Sequence, residues 1–364
     1  PAHAPRPSRF LRREGRDLSK GEAQFMQITK IRPKPPVSRH ERADRWFGFA
    51  LTIPAIVVLC VVIALPILKG IYVSFFNYKL ADIRKDVFDL SPQTVSDVIS
   101  GEKDVSALSN LKWNNFKNYR KLFNTKDFWK SDFLAYFVNT VVFVFFTVVI
   151  QLALGMLIAL LLNTKIRGRG VFRGLLLIPW TIPSVVVAIV WRLMLHQDGG
   201  IINYLLNFAR LTGGTQMSWL ETVPRARASI VLASVWRQLP YMMVMLLAGL
   251  QSVDSSLEEA AKIDGANGWK AFLHVTIPSI RPVLITSTWI AIMNNFQMYT
   301  IIANLAGTGR GTGTMTLSIA AYQEAFKNYE FGRGAAIGVL WLIILFIITM
   351  VSNRAAERTA RDYQ

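Results

Sequence analysis

Six apolar runs, each long enough to cross a lipid bilayer, constrain this chain more than any other feature. They lie at Trp46 to Phe76, Phe133 to Leu162, Val171 to Leu195, Ala228 to Leu250, Val283 to Leu305 and Gly332 to Val351. A hydrocarbon core of roughly 30 Å takes about 20 residues of helix, and every one of these runs supplies them. A length of 364 residues would hold two or three soluble domains, but 52% hydrophobic content and a mean hydropathy of +0.32 put that length into spans. The expected fold class is an all-α polytopic membrane protein of about six transmembrane helices, with a modest external loop and a structured cytoplasmic loop.

Charge orients the spans. The net charge is +18, and it is concentrated in two places. One is the tail before Trp46, with Arg6, Arg9, Arg12, Arg13, Arg16 and Lys20 through to Arg45. The other is the turn Lys165, Arg167, Arg169 and Arg173, which holds no acid. The positive-inside rule places both in the cytoplasm and the mixed-charge loops Asn77 to Asp132 and His196 to Arg227 outside. An even number of spans returns the carboxyl terminus to the cytoplasm. The organisation is then a basic, partly disordered tail (1–45) with a short helix around Glu22 to Ile31, a first helix (46–76) and an external loop (77–132). A core of five helices (133–351) and a cytoplasmic tail (352–364) complete it. A nucleic-acid partner would need a basic face on a folded soluble domain, and the sequence offers none. The single cysteine, Cys60, excludes an internal disulfide framework.

In the external loop Trp113, Phe116, Tyr119 and Phe123 recur at spacings of three and four. This is either an amphipathic helix on the outer membrane surface or a small packed cap on the bundle. Pro179, Pro183 and Pro240 interrupt the third and fourth spans, where each removes a backbone donor and favours a kink.

The segment "SSLEEAAKIDGANGWKAFLHVTIPSIRP", from Ser255 to Pro282, is soluble in character although it lies between two spans. Ser256 and Glu259 have capping-box spacing, so Leu257 to Asp264 is expected to be a short helix. Gly265 suits a left-handed terminating position, and Asn267 with Gly268 permits a second start through Trp269 to His274. Glu259-Ala260-Ala261, then Gly265, then Val275-Thr276-Ile277-Pro278, resembles the EAA signature of binding-protein-dependent ABC importer permeases. "WRQLPYMMVMLLAGLQSV", "NNFQMYTII" and the stretch Asn115 to Thr140 are similar to the carbohydrate-uptake branch of that family, in particular to its larger maltose-type subunit. The likeness runs over roughly Trp46 to Val351. It implies a bacterial inner-membrane subunit that pairs with a second permease, two cytoplasmic ATPase subunits and an extracytoplasmic solute-binding protein. It also implies that Glu259, Ala260, Ala261, Asp264 and Gly265 form the contact to the ATPase. The chain is then not itself an enzyme and binds no cofactor, with ATP and magnesium held on the ATPase subunit. Independently, no P-loop sequence occurs: "GTGRGTGT" lacks the lysine and reads as a turn.

Arg237 is conspicuous because a mid-membrane arginine facing lipid costs roughly 2.5 to 3.5 kcal/mol or more. It lies about 14 Å into its span, and Asn295 about 18 Å into the oppositely directed fifth span, so the two share a level. Arg237, Gln238 and Tyr241 on one helix and Asn294, Asn295 and Gln297 on the other are therefore expected to line one polar cavity; helix-to-helix hydrogen bonding is the alternative use of such amides. Positions near Tyr241 and the asparagine pair match, by resemblance, those that contact sugar in maltose-type permeases. Adjacent residues are turned by about 100°, so Asn294 and Asn295 cannot both face inward. A cation in the cavity suits a carboxylate-bearing, uronate or alginate-like oligosaccharide. A neutral sugar or a glycerol-phosphate-like solute is the alternative, with Arg237 tied to backbone carbonyls. An ion-coupled secondary transporter is the rival of a different class, but it usually needs a membrane-embedded acid, and none of the six runs contains Asp or Glu.

Overall fold

The structure, a computed structural model, describes residues 39–82, 91–102, 111, 113–123, 128–164, 167–307 and 311–361. The basic tail before Arg39, the helix expected around Glu22 to Ile31, Lys165 and Arg310 lie outside these residues. Helices dominate, and the described residues contain only an isolated bridge, between Phe76 and Trp113. Four helices are long and apolar enough to cross a membrane: Phe49–Ser74, Asp132–Asn163, Val223–Gln251 and Phe331–Arg354. Two further pairs, Arg169–Thr181 with Ser184–Met194 and Gly268–Ser279 with Arg281–Phe296, are bent by 94° and 71° and bring the number to six if each pair is one span.

The chain divides into two compact units at Leu65. In the first, the helix Arg39–Leu59 starts ahead of the expected Trp46. Intrahelical bonds do not need apolar side chains, so the polar run before Trp46 continues the helix instead of remaining a tail. A π-helical turn, Cys60–Ala64, follows, and its cysteine is free and exposed.

The second unit is centred on the contact between the second span, Asp132–Asn163, and the fourth, Val223–Gln251. Phe143, Val144 and Val148 are buried with Ile230, Ala233 and Met242 in one cluster. In lipid, helices associate through close packing more than through the hydrophobic effect, which favours small residues at the contact. Gly155 is such a residue: a Cβ there would lie 2.8 Å from Met242 Cγ.

The third span departs from the single run expected over Val171 to Leu195. It breaks at Ile182, whose backbone is extended at φ −73° and ψ 132°. Pro183 is the cause, since its ring excludes the helical conformation for the residue before it and its nitrogen donates no bond. The fifth span also ends early, at Phe296, and the chain resumes as the short helix Thr300–Ala306. No proline marks this break. The Met298 carbonyl accepts a bond from Ser318 Oγ at 2.8 Å, a contact the sequence does not announce.

The aromatic residues of the external loop do not form one surface helix. The helix covers only Lys117–Phe123, and Asn115 and Phe116 before it have φ of 51° and 60°, which reverses the chain. Trp113 stacks on Phe75 with ring centroids 5.6 Å apart. Asn118 Nδ2 donates to the carbonyls of Ser74 and Phe76 at 2.9 and 3.0 Å. The segment is therefore a cap on the end of the first span. The sixth span enters against it: Gly332 donates its N–H to Tyr78 O at 3.1 Å, and a Cβ on Gly332 would lie 2.3 Å from Phe76 O.

Candidate translocation and coupling sites

Arg237 stands at the midpoint of the 29-residue helix Val223–Gln251 and is half-buried. Its Nε donates to Ile182 O at 3.4 Å. The break at Pro183 explains this partner. A helix end leaves carbonyls without intrahelical donors and carries a partial negative charge, which a guanidinium complements. One turn further along, Tyr241 faces Trp180 with ring centroids 6.2 Å apart and planes at 31°. Trp180 is not among the residues expected from sequence; its only signal was its place in "PWTIP", between the two prolines that end the helix. The break thus gathers a cation and two aromatic rings at mid-span.

Gln238, next to Arg237, turns into the core. It is 9% exposed and its Nε2 donates to Asn295 Oδ1 at 2.9 Å. Asn295, 1% exposed, donates in turn to Ala291 O at 2.8 Å and to Gln151 Oε1 at 3.4 Å. Three spans are joined by this ladder of amides. Asn294 and Gln297 are exposed, and Gln297 borders a separate cavity of about 370 Å³ beside Gly338 and Trp341. Gln238, the neighbour of Arg237, meets Asn295 directly, and Asn294 and Asn295 face opposite ways, one exposed and one buried. Among the described residues the expected six divide instead of lining one cavity together: Gln238 and Asn295 bond each other, while Arg237 and Tyr241 share the break in the third span.

The loop between the fourth and fifth spans is a pair of short helices. Ser255–Ile263 is capped by Asp254, whose Oδ1 accepts from Ser256 N at 2.9 Å. This replaces the expected Ser256–Glu259 capping box, because the helix begins one residue before Ser256 and leaves that serine inside its first turn. The bond from Ser256 holds the Asp254 carboxyl below the usual carboxylate range. Gly265 takes the expected left-handed conformation, φ +83°, while Ala266 N closes the helix end on Ala261 O at 2.9 Å. Asn267 Oδ1 caps the next helix through Lys270 N at 2.8 Å. Thr276 Oγ1 donates to Glu258 Oε1 at 3.1 Å and ties the two pieces together. Glu259, Ala260, Asp264 and Gly265 are exposed and Ala261 is half-buried. Around them stand the exposed side chains of Leu257, Ile263 and Trp269. The elbow thus exposes an acid beside bulky apolar side chains.

Residues 151–362 match the family described as the binding-protein-dependent transport system inner membrane component, more than half of the chain. This chain belongs to that family. Its members are inner-membrane components of transport systems. The chain is 31% identical to the trehalose/maltose transport system permease protein MalF of Thermococcus litoralis over 84% of this chain and 91% of that protein. The sulfoquinovosyl glycerol transport system permease protein SmoG of Agrobacterium fabrum is 28% identical over 85% of this chain and 90% of its own length. The fold resembles a chain of a bacterial ABC transporter that imports the acidic polysaccharide alginate, with a TM-score of 0.67 at 18% identity over 87% of this chain and 96% of that one.

Proposed function

We propose that this permease forms half of the membrane path of an importer for an acidic oligosaccharide. ATP with magnesium is hydrolysed on two separate cytoplasmic subunits that grip the elbow at Glu259, Ala260, Ala261, Asp264 and Gly265. A second permease supplies the other half of the path, an extracytoplasmic binding protein delivers the sugar, and both termini lie in the cytoplasm. The observation that carries the substrate class is Arg237, a half-buried guanidinium at mid-span beside the Trp180–Tyr241 pair. Aromatic faces suit the apolar face of a sugar ring, and the planar guanidinium suits a carboxylate bidentately. Among the described residues its hydrogen bonding is limited to Nε, which leaves both terminal nitrogens for a ligand. The names of MalF and SmoG support a sugar, and the sulfo-sugar of the second supports an anionic one. A neutral sugar is the second reading, favoured by the bond from Arg237 to Ile182 O, which gives the cation a structural task.

The assembled transporter with its binding protein decides between them. Sugar-stimulated ATPase activity and uptake are measured with neutral and uronate oligosaccharides, for the native chain and for Arg237→Ala. A charged hydrogen bond is worth about 1.5–3 kcal/mol, so the variant should lose roughly 10- to 150-fold in uptake efficiency for the uronate and little for a neutral sugar. Equal transport of the uronate by both forms would remove the anionic substrate.

A further inference from the structure

A groove separate from the candidate path runs between the second and fourth spans, with a cavity of about 670 Å³. Its walls are apolar: Phe146, Ile150 and Leu154 on one helix face Val231, Leu232 and Val235 on the other. From Asn139 to Leu154 it extends along about 22 Å of helix. Its polar groups gather at one end, where Asn139, Arg227 and Thr314 border it.

That end is built rather than incidental. Arg227 Nε donates to Gly313 O at 2.8 Å and its Nη2 to Asn139 Oδ1 at 2.6 Å. Asn139 Nδ2 is held by Met315 O at 3.0 Å. The glycine–threonine turn sits close enough that a Cβ on Gly313 would lie 2.6 Å from Val223 Cγ2. The guanidinium is thereby fixed with Nη1 uncommitted. Arg227 has no ion pair among the described residues.

Length, polarity and charge select the occupant. The groove runs along about 22 Å, is walled by apolar side chains and ends at a fixed guanidinium. An extended hydrocarbon chain carrying an anionic headgroup matches that length, polarity and charge. The length also exceeds the roughly 15 Å depth of one leaflet's hydrocarbon, so a chain seated in the groove can keep its headgroup at the polar end. We propose that this groove binds one acyl chain of an anionic phospholipid, whose phosphate is received by Arg227. The lipid joins the outer part of two spans to the Gly313 turn.

The test uses the complete transporter, with its partner subunits, in phosphatidylcholine vesicles carrying a trace of phosphatidylglycerol with a photoactivatable acyl chain. Adducts are mapped by mass spectrometry. They are expected on Phe146, Ile150 and Leu154 in preference to Phe145 and Val149, which are exposed on the same helix outside the groove. A phosphatidylcholine probe should label the groove about fivefold less, the ratio that corresponds to about 1 kcal/mol for a basic residue at an anionic lipid surface. Arg227→Gln should reduce the difference between the two probes, and Ala228→Trp, which fills the groove near its polar end, should remove the adducts. If Ala228→Trp fails to assemble, Arg227→Gln and the adduct distribution still decide. Equal labelling by the two probes, adducts spread evenly around the helix, or crosslinks from Ile150 to the second permease would each overturn the proposal.

Discussion

Asn295→Ala separates a core amide from a ligand-facing one. In the native chain Asn295 joins Gln238 at 2.9 Å and Gln151 at 3.4 Å, and all three side chains are buried. Alanine leaves Gln238 Nε2 and Gln151 Oε1 without that partner. An orphaned buried polar group costs about 1–3 kcal/mol in soluble proteins, whereas side-chain bonds between helices in a bilayer average about 0.6 and reach about 1.7 kcal/mol. The lower scale applies here, and two lost bonds give about 1–3 kcal/mol, a 5- to 150-fold shift in the unfolding equilibrium. Asn294→Ala, one residue away on an exposed face, should stay within about 0.5 kcal/mol. Gln238→Leu combined with Asn295→Leu should recover part of the loss, because removing both partners leaves no orphan between them. Reversible SDS unfolding of the chain in bicelles reads each change. Equal destabilisation by the two alanine variants, or strict additivity in the double variant, would refute the ladder. Unchanged stability of Asn295→Ala with a raised KM for sugar would show that Asn295 serves the substrate instead.

Three further outcomes are expected. Gly332→Ala places a carbon 2.3 Å from a backbone oxygen that cannot rotate away, so it should cost at least the about 1–3 kcal/mol of ordinary overpacking, seen as a lower melting temperature of the purified transporter. Trp180→Ala removes the ring facing Tyr241 and should raise the KM for uptake about two- to tenfold, the range of an aromatic pair worth 0.5–1.5 kcal/mol, with assembly unchanged on gel filtration. Asp254 has a carboxyl held below its ordinary range by Ser256 N, so its cap is fully present above the unfolded carboxylate value and is lost as pH falls through the depressed folded one. Asp254→Asn, which keeps the acceptor, should therefore keep ATP hydrolysis coupled to uptake at neutral pH, and Asp254→Ala should hydrolyse ATP with reduced uptake. Identical coupling in the two variants would show that the cap does not matter to the elbow.

Much of the elbow was legible in the sequence because its signals are local. Gly265 and Asn267 act within a few residues of themselves, and they occupy the positions their chemistry favours. The start of the first short helix was misplaced by a local competition: Asp254 and Ser256 are both good caps, and the aspartate prevails with a 2.9 Å bond. The candidate path was only partly legible. Depth along the spans put Arg237 and Asn295 at one level, but whether an amide at that level meets another amide or a solute depends on how two helices rotate about their axes.

By itself the sequence determined the membrane architecture, since a run of about 20 apolar residues has a stable home as a helix in lipid, and the elbow's glycine and caps bias the backbone directly. Tertiary structure alone decided what each polar group does. Where the third span breaks, Ile182 offers its carbonyl to Arg237 and Trp180 reaches Tyr241; Arg227 closes on Gly313, 86 residues away in the chain. Those partners are set by packing between distant segments, and a buried donor bonds to whichever acceptor that packing brings within reach.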